Sequence, residues 1–357
     1  MAKRSKATAT NTRCRSNPPW SDLPELTLHN ILSRLSPNVA DFHAFSGVCK
    51  AWRSIAKASK QELLASQPPM FMLRLCTSGD LRFQSITDAD RPRTSLLQVK
   101  TKNCVGVSFG YLIIVDRSWR QPSLVDPFTS TTIRMPKQSF LIRFAILTAP
   151  PSSPDCLLLG WGSRLDGSRF RTNAVAACEL NGSAGMVQTC HHSFRSAIFR
   201  DGKAFVLSNL YGVAVMDLVL HPKPRLVEVE RLPLPARVLH LLLNELMLTE
   251  VGGELLLVYK DPRGRLFVEA QSLDPKRAGW VPLTSLGGRA LFLSYNRCEV
   301  AENPAAWDGE DCMYMVTGNA VVRQSLKDAS TKVLIESLPP RYVDKRRNYG
   351  WVFPISN

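Results

Sequence analysis

Residues 20 to 56 read WSDLPELTLHNILSRLSPNVADFHAFSGVCKAWRSIA. Within them Leu28, Ile31, Leu32 and Leu35 recur at the i, i+3, i+4, i+7 spacing that puts one apolar stripe along a helix. Ser21 or Asp22 can cap this helix, and Pro24 and Glu25 suit its first turn. Ser36-Pro37-Asn38 breaks it. A second helix is expected from about Ala40 to Ala58. Phe45, Val48, Cys49, Trp52 and Ile55 lie on one of its faces, with Lys50, Arg53 and Lys57 on the other. A unit of about 37 residues is too short for an independent core. Its stripes must therefore cover each other and something further, either the rest of the chain or another protein.

Beyond about Met70 the pattern changes to short apolar runs and turns. Gly110–Asp116 (GYLIIVD) and Cys156–Trp161 (CLLLGW) read as buried strands. Ser123–Pro136 reads as a hairpin turning at Asp126–Ser130, and Ile198–Leu207 carries an Asp-Gly hairpin signal at Asp201-Gly202. Leu248–Tyr259 repeats the arrangement around Gly252-Gly253, and strand-like runs recur at Leu266–Leu273, Ala290–Ser294, Cys312–Val316 and Ala320–Arg323. With Gly110, Gly202, Gly253 and Gly318 as anchors, strand-turn-strand units recur roughly every 40 to 60 residues, the spacing of four-stranded propeller blades. The expected fold class is mainly β: a small all-α unit followed by a propeller of about six blades, with a pair of β-sandwiches as the alternative. The expected division is a basic disordered leader at 1–19, the helical unit at 20–60, a linker at 61–69 and the β domain at 70–357.

Leu23-Pro24, Ile31-Leu32-Ser33-Arg34-Leu35 and Val48-Cys49-Lys50-Ala51-Trp52-Arg53 resemble an F-box, in order and at the right spacing. Thr27 departs from the pattern, because many F-boxes are apolar there. The resemblance implies docking on the Skp adaptor of cullin-RING (SCF) ubiquitin ligases. The residues it nominates are Leu23, Pro24, Leu28, Ile31, Leu32, Leu35, Val48, Cys49 and Trp52. The stretches Leu124–Thr129 (LVDPFT), Asp201–Phe205 (DGKAF), Gly253–Val258 (GELLLV) and Leu286–Leu293 (LGGRALFL) resemble plant F-box proteins that end in a KIB-type, kelch-like β-propeller. The F-box resemblance followed by a β region leads to the expectation of a substrate-recognition subunit with no cofactor and no chemistry of its own, which brings an unknown protein target to the ligase. A scaffold or inhibitor acting without degradation is the alternative.

Composition narrows the remaining classes. The chain has 357 residues, 45% of them hydrophobic, and no apolar run reaches the ~18 to 20 residues of a membrane span. Nine cysteines without a C-x-x-C pair read as reduced thiols of the cytoplasm or nucleus. The leader, with basic and Ser content and no acid, also fits an organelle address. The net charge of +15 includes five basic residues in 1–19. It raises nucleic acid as a partner, but basic and aromatic residues are not interleaved for base stacking.

Gly106-Val-Ser-Phe-Gly110 fits G-x-S-x-G, which would make Ser108 a hydrolase nucleophile. Such an elbow needs a helix after the serine, and Tyr111–Val115 reads as a strand. Cys190-His191-His192 lacks the paired spacing of a zinc site, so no metal is expected.

Overall fold

The computed structural model describes residues 20–35, 39–59, 69–74, 81–86, 103–127, with short breaks 131–336, and 349–352. The leader, most of the expected linker, Gly318 and His191-His192 fall outside these residues. The chain divides into two compact units at Ser66/Gln67.

The first unit has three helices rather than two. A 3-10 turn at Trp20–Asp22 leads into α1 (Glu25–Arg34), followed by α2 (Val39–Gly47) and α3 (Lys50–Ala58). Pro24, not Ser21 or Asp22, occupies the N-cap of α1. The single second helix expected from Ala40 to Ala58 is broken at Val48-Cys49, where Cys49 is fully extended at φ −160°. Gly47, the last residue of α2, has the low helix propensity that permits this break. Leu28, Leu32, Phe42, Phe45, Trp52, Ile55 and Ala56 close on one another as the unit's core.

The second unit is a ring of sheets. It opens with β1 (Met70–Arg74) and β2 (Leu81–Ser85). The first four-stranded sheet is β3 (Asn103–Ser108), β4 (Tyr111–Val115), β5 (Pro122–Val125) and β6 (Thr132–Arg134). The second is β7 (Leu141–Leu147), β8 (Leu157–Leu165), β9 (Arg171–Glu179) and β10 (Met186–Cys190). The third is β11 (Phe194–Arg200), β12 (Lys203–Ser208), β13 (Gly212–Val219) and β14 (Arg225–Pro233). The fourth is β15 (Leu246–Val251), β16 (Glu254–Lys260), β17 (Leu266–Gln271) and β18 (Trp280–Pro282). The fifth holds β19 (Ala290–Leu293), β20 (Cys298–Ala301), β21 (Cys312–Thr317), β22 (Ala320–Ser325) and β23 (Thr331–Ile335), in the spatial order β20-β19-β21-β22-β23. Finally β24 (Tyr349–Val352) pairs with β1, so the C-terminal strand joins the N-terminal pair.

Among the described residues these five sheets are the propeller blades, where about six were expected. Ala290–Leu293 and Cys312–Thr317, two of the strand-like runs of the sequence, are parallel neighbours in one five-stranded blade. The β2-β1-β24 sheet has three described strands and packs Phe71 and Trp351 against Phe292 and Tyr314 of the fifth blade. The second to fifth blades are each sandwiched by their neighbours. On β8, Leu158 faces the core shared with the first blade and Leu159 the core shared with the third. Burial on both faces explains why these strands read as continuous apolar runs rather than alternating ones.

The first hairpins of three blades share one device. Phe109-Gly110, Asp201-Gly202 and Gly252-Gly253 all have positive φ at both positions, the backbone of the two-residue turn whose twist matches its strands. Glutamine side chains tie blade to blade. The Gln188 amide donates to Leu226 O and accepts from Leu226 N, both at 2.9 Å, so it acts as one more rung beside β14. Gln324 does the same for Leu266 of β17 at 3.0 and 3.1 Å.

Candidate functional site

In the helical unit, the stripe of α1 divides by burial. Leu28 and Leu32, one turn apart, are buried, while Ile31 and Leu35 on the flank are half-buried. Trp52 of α3 is buried beneath Phe45, ring centroids 4.5 Å apart. Its indole Nε1 donates to Trp20 O at 2.9 Å, which pins the entering chain across α3. Trp20 meets Trp52 edge-on, yet remains 69% exposed.

The nine nominated residues therefore separate into three groups. Leu28, Leu32 and Trp52 are consumed by the unit's own core. Leu23, Ile31, Leu35 and Cys49 pack against that core while keeping part of their surface. Pro24 and Val48 are exposed, Val48 to 50%. Trp20 and Leu26, the latter 74% exposed, were missed by the sequence reading. Leu26 lies about 160° around α1 from Leu28, off the stripe used to read the helix. Thr27 is exposed as well. The unit thus shows Trp20, Pro24, Leu26 and Val48 to solvent over a small, filled core.

At Ser108, where the sequence hinted at chemistry, the structure shows hydrogen bonds between blades. Ser108 ends β3 and is followed at once by β4. Its Oγ accepts from Leu147 N at 3.1 Å and from the Arg297 guanidinium at 3.2 Å, so it joins the first, second and fifth blades. Ser196 likewise accepts from Leu248 N at 3.1 Å, and Thr249 Oγ1 donates to Cys298 O at 3.1 Å. Gly106 serves a close approach: a Cβ there would sit 2.1 Å from Ala145 O. Among the described residues no cluster of His, Cys, Asp and Glu could hold a metal ion. Nor is any described helix long and apolar enough to cross a membrane.

Two polar constellations had no signal in the sequence. Glu269 of β17, 1% exposed, accepts from Arg237 through both oxygens at 2.5 Å and from the Tyr259 hydroxyl at 2.7 Å. Burial, with the adjoining carboxylate, pushes the Tyr259 phenol up to about 12. Asp311, at φ 52°, accepts from Ser285 Oγ, Leu286 N and Gly288 N at 3.0, 2.6 and 3.3 Å. Partial burial opposes the charge on Asp311, but these hydrogen bonds outweigh it and hold the carboxyl below its usual range. They also account for Leu286-Gly287-Gly288: both glycines have positive φ in the loop that Asp311 gathers.

Comparison with protein-family models finds an F-box domain at residues 20–61 and a KIB1-4 beta-propeller at residues 82–341. Comparison with curated proteins gives no match. Among solved structures, the AfRom2 CNH domain shares 11% identity over 81% of this chain and 96% of its own, with a TM-score of 0.41. A periplasmic gluconolactonase of Pseudomonas aeruginosa, PpgL, shares 10% over 80% and 99%, also at 0.41. Likenesses this distant say nothing of what the chain binds or does.

Proposed function

Because this chain belongs to the KIB1-4 β-propeller family and carries an F-box domain ahead of its propeller, we propose that it is the target-recognition subunit of an SCF-type ubiquitin ligase. An F-box followed by a propeller is a protein-interaction architecture, and the adaptor role follows from it. The F-box docks on a Skp-type adaptor and, through it, a cullin. The propeller holds a protein target. The chain performs no chemistry itself. It raises the effective concentration of target lysines near the partner that transfers ubiquitin.

The observation that carries this reading is the F-box motif folded around its own small core, with four apolar or aromatic side chains left outside. Trp20, Pro24, Leu26 and Val48 form the contact, and the exposed parts of Leu23, Ile31, Leu35 and Cys49 extend it. Leu28, Leu32 and Trp52 act indirectly, by holding the helices in place. Fully burying Trp20, Leu26 and Val48 contributes roughly 1.5 to 3 kcal/mol each. Association costs ~4 to 15 kcal/mol. The half-buried group must therefore share in the contact, and single truncations of the exposed group weaken it steeply.

The test is co-expression of the full chain with a Skp-type adaptor and a cullin, followed by size-exclusion chromatography. Co-elution as one complex is expected. Elution of the folded chain alone, with adaptor and cullin together in a separate peak, would refute the reading.

A further inference from the structure

The first four blades run in the same sense around the ring. Leu147, ending β7, bonds to Ser108, ending β3, and Ile142 near the start of β7 donates to Trp119 O in the β4–β5 turn at 2.7 Å. Arg200, ending β11, likewise bonds to Gly253 in the turn that follows β15. The turns between second and third strands therefore gather with the starts of the first strands at one end of the blades. The turns between first and second strands gather at the other.

Charge is sorted between these ends. The β4–β5 turn, the β16–β17 turn and the starts of β7 and β11 present Arg117, Arg120, Arg143, Arg195, Arg263 and Arg265. The carboxylates described in the same segments are Asp116 and Asp261, so six arginines face two acids there, and Asp261 is paired with one of the six, Arg265. Asp116 accepts from Ser118 Oγ at 2.8 Å and from Gln121 N at 3.0 Å. Asp261 accepts from Arg265 N at 2.8 Å and from Arg265 Nε at 3.1 Å. At the opposite end, the turns and their flanks carry Asp155, Asp201, Glu250 and Glu254 beside Arg200 and Lys203. One end is thus strongly basic and the other mixed, although both belong to the same blades.

We propose that the basic end, with its arginines on the β4–β5 and β16–β17 turns, is the propeller's docking surface for a carboxylate-rich segment of a protein partner. The proposal deepens the target-recognition reading above and rests on it for the identity of the bound protein as a target. The aromatics at this end favour protein over nucleic acid. The Arg143 guanidinium lies 4.5 Å from the centroid of the Trp119 ring, and Arg265 lies 5.6 Å from that of Phe267. These faces are covered by cations rather than presented to bases, and a single-stranded nucleic acid would need stacking platforms. Planar guanidinium groups instead suit bidentate pairing with carboxylates, and complementary charge steers encounter.

The experiment measures binding of a fluorescein-labelled peptide of alternating Glu and Gly to the full chain at low salt, by anisotropy. The triple variant Arg117→Glu/Arg120→Glu/Arg263→Glu should weaken binding about tenfold or more, with an unchanged melting midpoint. The control variant Lys223→Glu/Lys332→Glu, exposed charges elsewhere on the propeller, should change it less than about twofold. A triple Arg→Gln variant at the same positions, expected to lose binding to a smaller degree, guards against misfolding of the first. Equal weakening by the control, or no peptide binding by the folded wild type, overturns the proposal. So does tighter binding of a single-stranded oligonucleotide, lost in the same triple variant. Adaptor co-elution is read separately on each variant. Peptide binding with no adaptor complex sinks the ligase reading alone, and the reverse pattern sinks this surface alone.

Discussion

The helical unit and the propeller solve the problem of apolar surface in opposite ways. The F-box buries seven side chains in one small core and leaves Trp20, Leu26 and Val48 largely exposed within about 40 residues. The propeller stacks blade on blade, so that successive cores share strands and both faces of a strand such as β8 are filled. Its exposed large apolar residues include Met186 and Val333 on separate outer strands and Val227 and Val229 together on β14. The contrast separates the two proposed contacts by chemistry: apolar surplus on one unit, sorted charge on the other.

That contrast can be broken most forcefully at the F-box core. Leu32→Asp places an unpaired charge among Leu28, Phe45 and Trp52 and should cost more than about 4 kcal/mol, unfolding the first unit. The propeller's own thermal transition should persist in calorimetry. A single transition lost together with the F-box would show that the units are not separately stable.

The next effect is in the propeller. Glu269→Gln removes a buried carboxylate from Arg237 and Tyr259. Because Arg237 is half-exposed, the expected cost is about 2 to 3 kcal/mol rather than the full penalty of a buried ion pair. Urea unfolding followed by the propeller's tryptophan fluorescence measures it. A change within error would show that the triad adds nothing to the fold.

Smaller again is an acid effect. The carboxyls of Asp116, Asp261 and Asp311 lie below their usual range, because hydrogen bonds outweigh the opposing effect of partial burial. A depressed folded pKa contributes stability that is present above the unfolded value of about 3.9 and lost as pH falls through the folded value. Propeller stability should therefore decline on acidification through and below the ordinary carboxylate range. Asp311→Asn should be less stable near neutral pH by about 1 to 2 kcal/mol and show a shallower decline. An identical pH profile in the variant would contradict the assignment.

The smallest stability effect sharpens the comparison from the other side. Val48→Ser acts on an exposed residue in the α2–α3 break, and should change the unit's stability by no more than about 0.5 kcal/mol. A large loss would mean that Val48 is already covered and cannot serve a partner.

Much of this was legible in the chain because the relevant signals are local. The i, i+4 spacing of Leu28 and Leu32, the Pro24-Glu25 helix start and the Asp201-Gly202 turn each depend on a few adjacent residues, and the structure places them as helix, helix start and hairpin. The uninterrupted apolar run of β4 reflects burial from two sides. What stayed hidden is non-local. The parallel pairing of β19 with β21 bridges the β20 excursion. The Gln188 and Gln324 rungs span 38 and 58 residues. Periodicity also marked Leu28, Leu32 and Trp52 as apolar-facing without telling whether their own unit or a partner covers them. Leu26, off the stripe, gave no periodic signal at all.

The most direct measurement is the affinity of the full chain for a purified Skp-type adaptor, by isothermal titration calorimetry, comparing wild type with Leu26→Asp/Val48→Asp. The account predicts a loss of about a hundredfold or more with the F-box helices still folded by circular dichroism, since two charges would be desolvated in the contact. Unchanged affinity in that folded double variant would contradict it.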